Sequence, residues 1–219
     1  MKTGLIVLGV IILIVIGGIG WAIGINNQLV GQEQVVNEKW AQVQNVYQRR
    51  ADLIPNLVET VKGYATQERT VLEEVTKARA SVAGIKATPE LINDPAAFQK
   101  FQQAQNELSG ALSRLLVTVE RYPDLKSNQN FLTLQSQLEG TENRIAISRR
   151  DYNEAVRDFN TTLRTFPQVF FAKTMYASSK PMILFSATEA SQNAPSVSFD
   201  APAPAAPAAL PPSAAPATK

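Results

Sequence analysis

Between Gly4 and Ile25 the chain reads GLIVLGVIILIVIGGIGWAIGI, 22 residues without a charged side chain. As a helix this run would span roughly 33 Å, against about 30 Å for the hydrocarbon core of a bilayer, so it is long enough to cross a membrane once. Residues 1–26 are therefore expected to form a transmembrane anchor into the lipid bilayer, with the rest of the chain facing water. A cleaved signal peptide has a shorter apolar region, usually about 7 to 15 residues, ending in a small-x-small site. Ala22 and Gly24 supply such a site only weakly, and the run is too long for it. Lys2 precedes the span, and residues 26–45 beyond it hold Lys39 against Glu33 and Glu38. The positive-inside bias, resting on these few charges, sets the N-terminus in the cytoplasm and the bundle outside it. Trp21 suits the interfacial aromatic belt. Gly20 and Gly24 form a small-xxx-small face on which two such helices could approach closely.

The residues that follow carry a different period. Steps of three and four give a first seam, Trp40, Val43, Tyr47, Arg50, Ile54, Leu57, Val61, Tyr64, Glu68, Val71, Val75, Ala78, Val82 and Ile85, in a single heptad phase. A second runs Phe98, Phe101, Gln105, Leu108, Leu112, Leu115, Val119 and Tyr122, and a third Leu138, Glu142, Ile145, Arg149, Tyr152, Val156, Phe159, Leu163 and Phe166. Asp94 before Pro95 is a helix start, Pro123 stops the second run, and Ser127 or Asn128 can cap the third. Connections this short make successive helices antiparallel. The fold class expected is all-α: one N-terminal transmembrane helix followed by an elongated, antiparallel, up-and-down helical bundle with coiled-coil-like heptads over residues 27–190. Pro55 stands inside the first seam. Because the heptad phase matches on both sides, and DLIPN holds no glycine for a tight reversal, a kink in one helix is preferred to a break into two.

Four charges occupy seam positions: Arg50, Glu68, Glu142 and Arg149. Polar groups there cost stability, and their best-attested use is to fix register and partner choice. Arg50 could meet Glu142, or Glu68 could meet Arg149. Both pairs cannot form between two straight helices, since the spacings differ by roughly 16 Å along the axis. The alternative is that the arginines lie at the seam edge and reach water. Arg50, Pro55, Glu68, Glu142 and Arg149 are thus the interaction or register candidates, with Gly20 and Gly24 as transmembrane packing candidates. The amide- and charge-rich stretch 142–160 reads as a solvated helix face carrying Arg150–Glu154 and Glu154–Arg157 pairs. Beyond Pro167, the apolar pieces VFFAKTMY and PMILF are too long to leave in water and are expected to fold back on the bundle. Residues 191–219, rich in alanine and proline, cannot bury enough surface to order themselves and read as a disordered tail.

Composition narrows the chemistry. The chain has no cysteine and no histidine, which removes thiol nucleophiles, histidine acid/base catalysis and the usual zinc and di-iron ligand sets. Between residues 27 and 190 stand 19 basic and 18 acidic side chains, so the clustered basic excess of a nucleic-acid binder is missing. A serine hydrolase assisted by lysine is the enzyme class left, with no motif to support it. No catalytic residue, cofactor or metal is expected.

The blocks RRADLIPNLVETVKGYATQE and YPDLKSNQNFLTLQSQLEGTENRIAISRRDYNEAVRDFNTTLRTFP closely resemble the LemA family of bacterial membrane proteins, over roughly Leu29 to Phe185. Arg49, Arg50, Asp52, Pro55, Asn56, Glu142, Asn143, Arg144, Arg150, Asp151, Tyr152, Asn153 and Asn160 match its signature blocks. The resemblance implies a single anchor in the bacterial cell (inner) membrane and a small up-and-down bundle. It assigns no catalytic or cofactor-binding residue, and suggests a TPM-domain protein or a membrane metalloprotease as a partner. The functional expectation is a non-enzymatic, membrane-anchored scaffold or adaptor, self-associating into a homo-oligomer through its long heptads or docking an envelope protein. The alternative is a membrane-organising protein whose bundle lies on lipid.

Overall fold

The computed structural model describes residues 2–170 and 180–186. Its elements are α1 (Lys2–Tyr64), α2 (Arg69–Ala83), a 3-10 turn (Pro89–Asn93), α3 (Pro95–Val119), the short α4 (Pro123–Lys126) and α5 (Gln129–Arg164). The fold is all-α among the described residues. The compact unit closes at Phe185. The expected disordered tail, and most of VFFAKTMY, lie outside the described residues.

α1 runs without interruption for 63 residues, roughly 95 Å at 1.5 Å per residue, from the apolar span into the bundle. From Leu5 to Ile23 its large apolar side chains are exposed. By length and composition this helix is long and apolar enough to cross a membrane. Ile25, the last residue of the expected span, is already buried in the bundle core, as are Leu29 and Val36. The seam thus begins well before Trp40; the polar run GQEQ at 31–34 hides it from a periodicity reading.

The helix continues through Pro55, as the matching phase predicts. The chain instead reverses ten residues later, at Ala65–Glu68, so the first seam is divided between two antiparallel helices. Four connecting residues amount to about one helical turn, which leaves the heptad count undisturbed and conceals the reversal. Tyr64 is turned outward and Ala65 takes the buried place, 1% exposed. A turn from the Glu68 amide to the Ala65 carbonyl closes the corner.

α3 buries its seam from Phe98 to Val119 as expected. Its start is fixed by Asp94, whose carboxylate accepts from the amides of Ala96 and Ala97 at 2.9 and 3.1 Å. Asn128, not Ser127, caps α5, accepting from Asn130 and Phe131. α1 packs chiefly on α5, and α2 on α3. Arg50 faces Glu142 while Trp40 faces Tyr152, so α5 runs antiparallel to α1. The third seam is buried from Leu138 to Leu163 at its apolar positions. Phe166 is 83% exposed, because the helix ends at Arg164 and the phase ends with it.

Candidate functional site

The core is divided into two apolar clusters. One gathers Trp40, Tyr47, Phe98, Phe101, Ile145 and Tyr152 on the side of the membrane span, and the other gathers Ile54, Leu57, Leu108, Leu115, Phe131 and Leu138. Arg50 lies between them in sequence on α1 and is 1% exposed. Its guanidinium donates to Glu142 Oε1 at 2.7 Å and Ser109 Oγ at 2.8 Å, and to the side-chain oxygen of Gln105. It also lies over the Tyr47 ring, 5.1 Å from its centroid. Arg50 Nε and Gln105 Nε2 are buried without a partner. Glu142 is half-exposed, so the charge of α1 is held inside while its counter-charge keeps contact with water. The structure thus brings Arg50 and Glu142 together, and Arg50 does not lie at the seam edge.

Arg149 stands near the same layer without joining the Arg50 pair. Its guanidinium covers the Phe185 ring at 4.6 Å from the centroid and acts electrostatically on the Tyr47 hydroxyl. Burial raises the Tyr47 pKa, against the lowering influence of Arg149 and Arg50. Glu68 does not meet Arg149. It sits beside the α1–α2 corner, 3.0 Å from Arg121 and accepting from the Tyr122 hydroxyl at 2.8 Å, a bond that raises the Tyr122 pKa. Arg150 lies 3.2 Å from Asp151 instead of pairing with Glu154.

Pro55 has no amide hydrogen, so the carbonyl of Ala51, four residues earlier, loses its helical donor. Arg79 on α2 supplies one: its Nε donates to the Ala51 oxygen at 3.0 Å. The proline thereby opens a docking point for α2 on the buried side of α1. Gly20 and Gly24 have nothing within 4 Å of where a Cβ would stand, so this face of the span is uncovered.

A second site was hidden in the stretch read as a solvated face. The segment Met182–Phe185 lies along α5 and is held by its main chain. Asn160 donates to the Met182 carbonyl at 2.8 Å and accepts from the Met182 amide at 2.9 Å. Asn153 does the same for Phe185, at 3.0 and 2.9 Å. Tyr152 donates to the Ile183 carbonyl at 2.8 Å, and the Ile183 amide donates to Ile92 of the 3-10 turn at 3.2 Å. Seven helical residues advance roughly 10.5 Å and three extended residues roughly 10 Å, so the asparagine spacing matches the strand it grips. Phe185 fills an aromatic pocket, with ring centroids 4.8 Å from Phe98, 5.5 Å from Tyr152 and 6.2 Å from Trp40. PMILF therefore folds back on the bundle as its hydrophobicity requires. Among the described residues no three acidic side chains converge on a metal-type site, and Arg50, Glu142, Glu68 and Arg79 join different elements of the bundle.

A family model described as the LemA family matches residues 39–199. The chain belongs to the LemA family. Similar proteins include the magnetosome protein MamQ of Magnetospirillum gryphiswaldense and magnetosome protein MamQ 1 of Paramagnetospirillum magneticum, each 25% identical over 162 residues, covering 67% of this chain and 60% of theirs. Protein LemA of Metamycoplasma hominis is 23% identical over 144 residues, covering 66% of this chain and 62% of its own. The match thus spans less than two thirds of these relatives' lengths. The LemA match starts at 39, inside α1, and reaches 199, past Phe185 but short of the alanine-proline run. Of the residues that carry the resemblance, Arg50 and Glu142 build the polar layer, Pro55 frees the Ala51 carbonyl, and Tyr152, Asn153 and Asn160 hold the returning segment.

Proposed function

We propose that this LemA-family chain is a non-enzymatic, membrane-anchored scaffold or adaptor, whose bundle is presented to copies of itself or to an envelope partner. The observation that carries this reading is the continuity of α1: the helix able to cross the bilayer also supplies the buried face from Ile25 to Val61. Anchor and bundle are one rigid element, so the bundle's faces are held in fixed register to the membrane instead of hanging from a linker. The buried arginine supports the same reading, since its clearest consequence is a single helix register. The bundle lies outside the cytoplasm on this account, and a TPM-domain protein or a membrane metalloprotease is the first foreign partner to test.

Two differently tagged full-length copies co-expressed and extracted in mild detergent test the proposal. Either the second copy or one reproducible envelope protein is expected to co-purify with the first. Recovery of neither from membranes would contradict it.

A further inference from the structure

The grip on residues 182–185 is almost wholly a grip on main chain. Tyr152, Asn153 and Asn160 donate three hydrogen bonds to backbone carbonyls, the two asparagines accept two more from backbone amides, and a sixth bond joins two backbones. Such a site adds an extended segment as a sheet edge would, with Phe185 as the side chain that sets its place. Nothing in these bonds depends on the segment belonging to the same molecule.

Covalent geometry bears on the choice. α5 ends at Arg164, and Met182 lies beside Asn160, one turn back along the same helix. After α5 the chain makes a turn in which the Val169 amide donates to the Thr165 carbonyl and Gln168 reaches Gln28 of α1, and ten residues, 171–180, then separate Phe170 from Pro181. At about 3.3 to 3.6 Å per residue ten residues can reach roughly 35 Å, beyond the 8 to 10 Å between packed helices. Copies held by an anchor in one plane also meet at raised effective concentration.

We propose that the α5 groove exchanges its occupant: residues 181–185 of one copy seat on Tyr152, Asn153 and Asn160 of a second, joining anchored copies side by side. The inference rests on the scaffold reading, for which it names the contact. Exchange of an identical element makes and breaks the same bonds, so its equilibrium is set by copy density and not by new contacts.

The test places a photoreactive benzoylphenylalanine at Leu184, which is partly exposed and takes no part in the main-chain bonds above. This full-length copy is co-expressed with a large excess of a copy carrying Thr161→Ser, an exposed change that marks the mass of the α5 peptide. After irradiation of intact membranes, the inference expects adducts between position 184 and the mass-marked α5 peptide of the excess copy. Adducts found only on unmarked α5 peptides, which retain Thr161, would overturn it. A control adding Asn153→Ala and Asn160→Ala to the excess copy is expected to lose the marked adducts with its helical circular dichroism unchanged, and their persistence would overturn the assigned groove. Lysine cross-linking of the same membranes separates the two ideas: links between like lysines with unmarked adducts alone would remove exchange and keep the scaffold, whereas no link between copies and none to a foreign envelope protein would remove both.

Discussion

Arg50 holds a full charge in a core otherwise built from leucine, valine and aromatic rings, with Gln105, Ser109 and Glu142 as its acceptors. Truncating the arginine strands the buried Gln105 amide and opens a cavity, so Arg50→Ala should cost about 3 kcal/mol in urea unfolding. Glu142→Ala should cost about 1 kcal/mol, because its half-exposed carboxylate is partly screened and Arg50 retains two other acceptors. Tyr152 makes a separate residue-scale prediction. Burial raises its pKa above the ordinary tyrosine value, so its contribution is complete below about pH 10 and is lost as pH climbs toward the folded value. Tyr152→Phe should therefore lose about 1 kcal/mol at neutral pH, from the missing bond to Ile183, yet decline less steeply between about pH 9 and 11. Denaturation midpoints across that interval measure the slope, and equal slopes for both proteins would refute the assignment.

At the scale of elements, Pro55 and Arg79 should behave as a coupled pair. Arg79→Met leaves the Ala51 carbonyl without a donor and is expected to cost about 1 to 2 kcal/mol. Pro55→Ala restores the helical amide, so in that background the same Arg79 change should cost little. Additive effects in the double-mutant cycle would show that the proline and the arginine act independently. Pro55 was in view in the sequence, but its connection to Arg79 was not, because it passes through a backbone carbonyl and the α1–α2 reversal was concealed by the heptad count. α3 was legible throughout: apolar residues at three and four spacing, an Asp-Pro start and a proline after the stop all agree. The Asn153 and Asn160 clamp had no local signal, since its occupant lies 22 and 32 residues away in the chain. Amide side chains on a helix look the same whether they face water or a peptide. Asn153→Ala with Asn160→Ala should release Phe185 from its aromatic pocket, read as a change in Trp40 fluorescence without loss of helix.

For the whole molecule, the apolar span, the all-α bundle and the returning PMILF segment were all readable from hydrophobicity and period. The Arg50–Glu142 pair was readable as one of two exclusive pairings, beside the alternative of arginines reaching water at the seam edge, and only the packing of α1 on α5 decides among them. The helix long and apolar enough to cross a membrane and the bundle share α1, and on the proposed reading this turns an anchor into a fixed mount. Inserting a flexible Gly-Ser pair after Asn27, between the span and the main body of the bundle, should leave the protein in the membrane fraction but weaken co-purification of copies. Unchanged co-purification would mean that rigid mounting is not required.

The central claim, that anchored copies or an envelope partner meet on this bundle, is tested most directly by cross-linking in intact membranes with mass spectrometry of the linked peptides. No residue of one molecule can link to itself, so links joining a given lysine to the same lysine, or one lysine reproducibly to a foreign envelope protein, are the predicted result. Cross-links confined to pairs that a single chain can make would contradict the account.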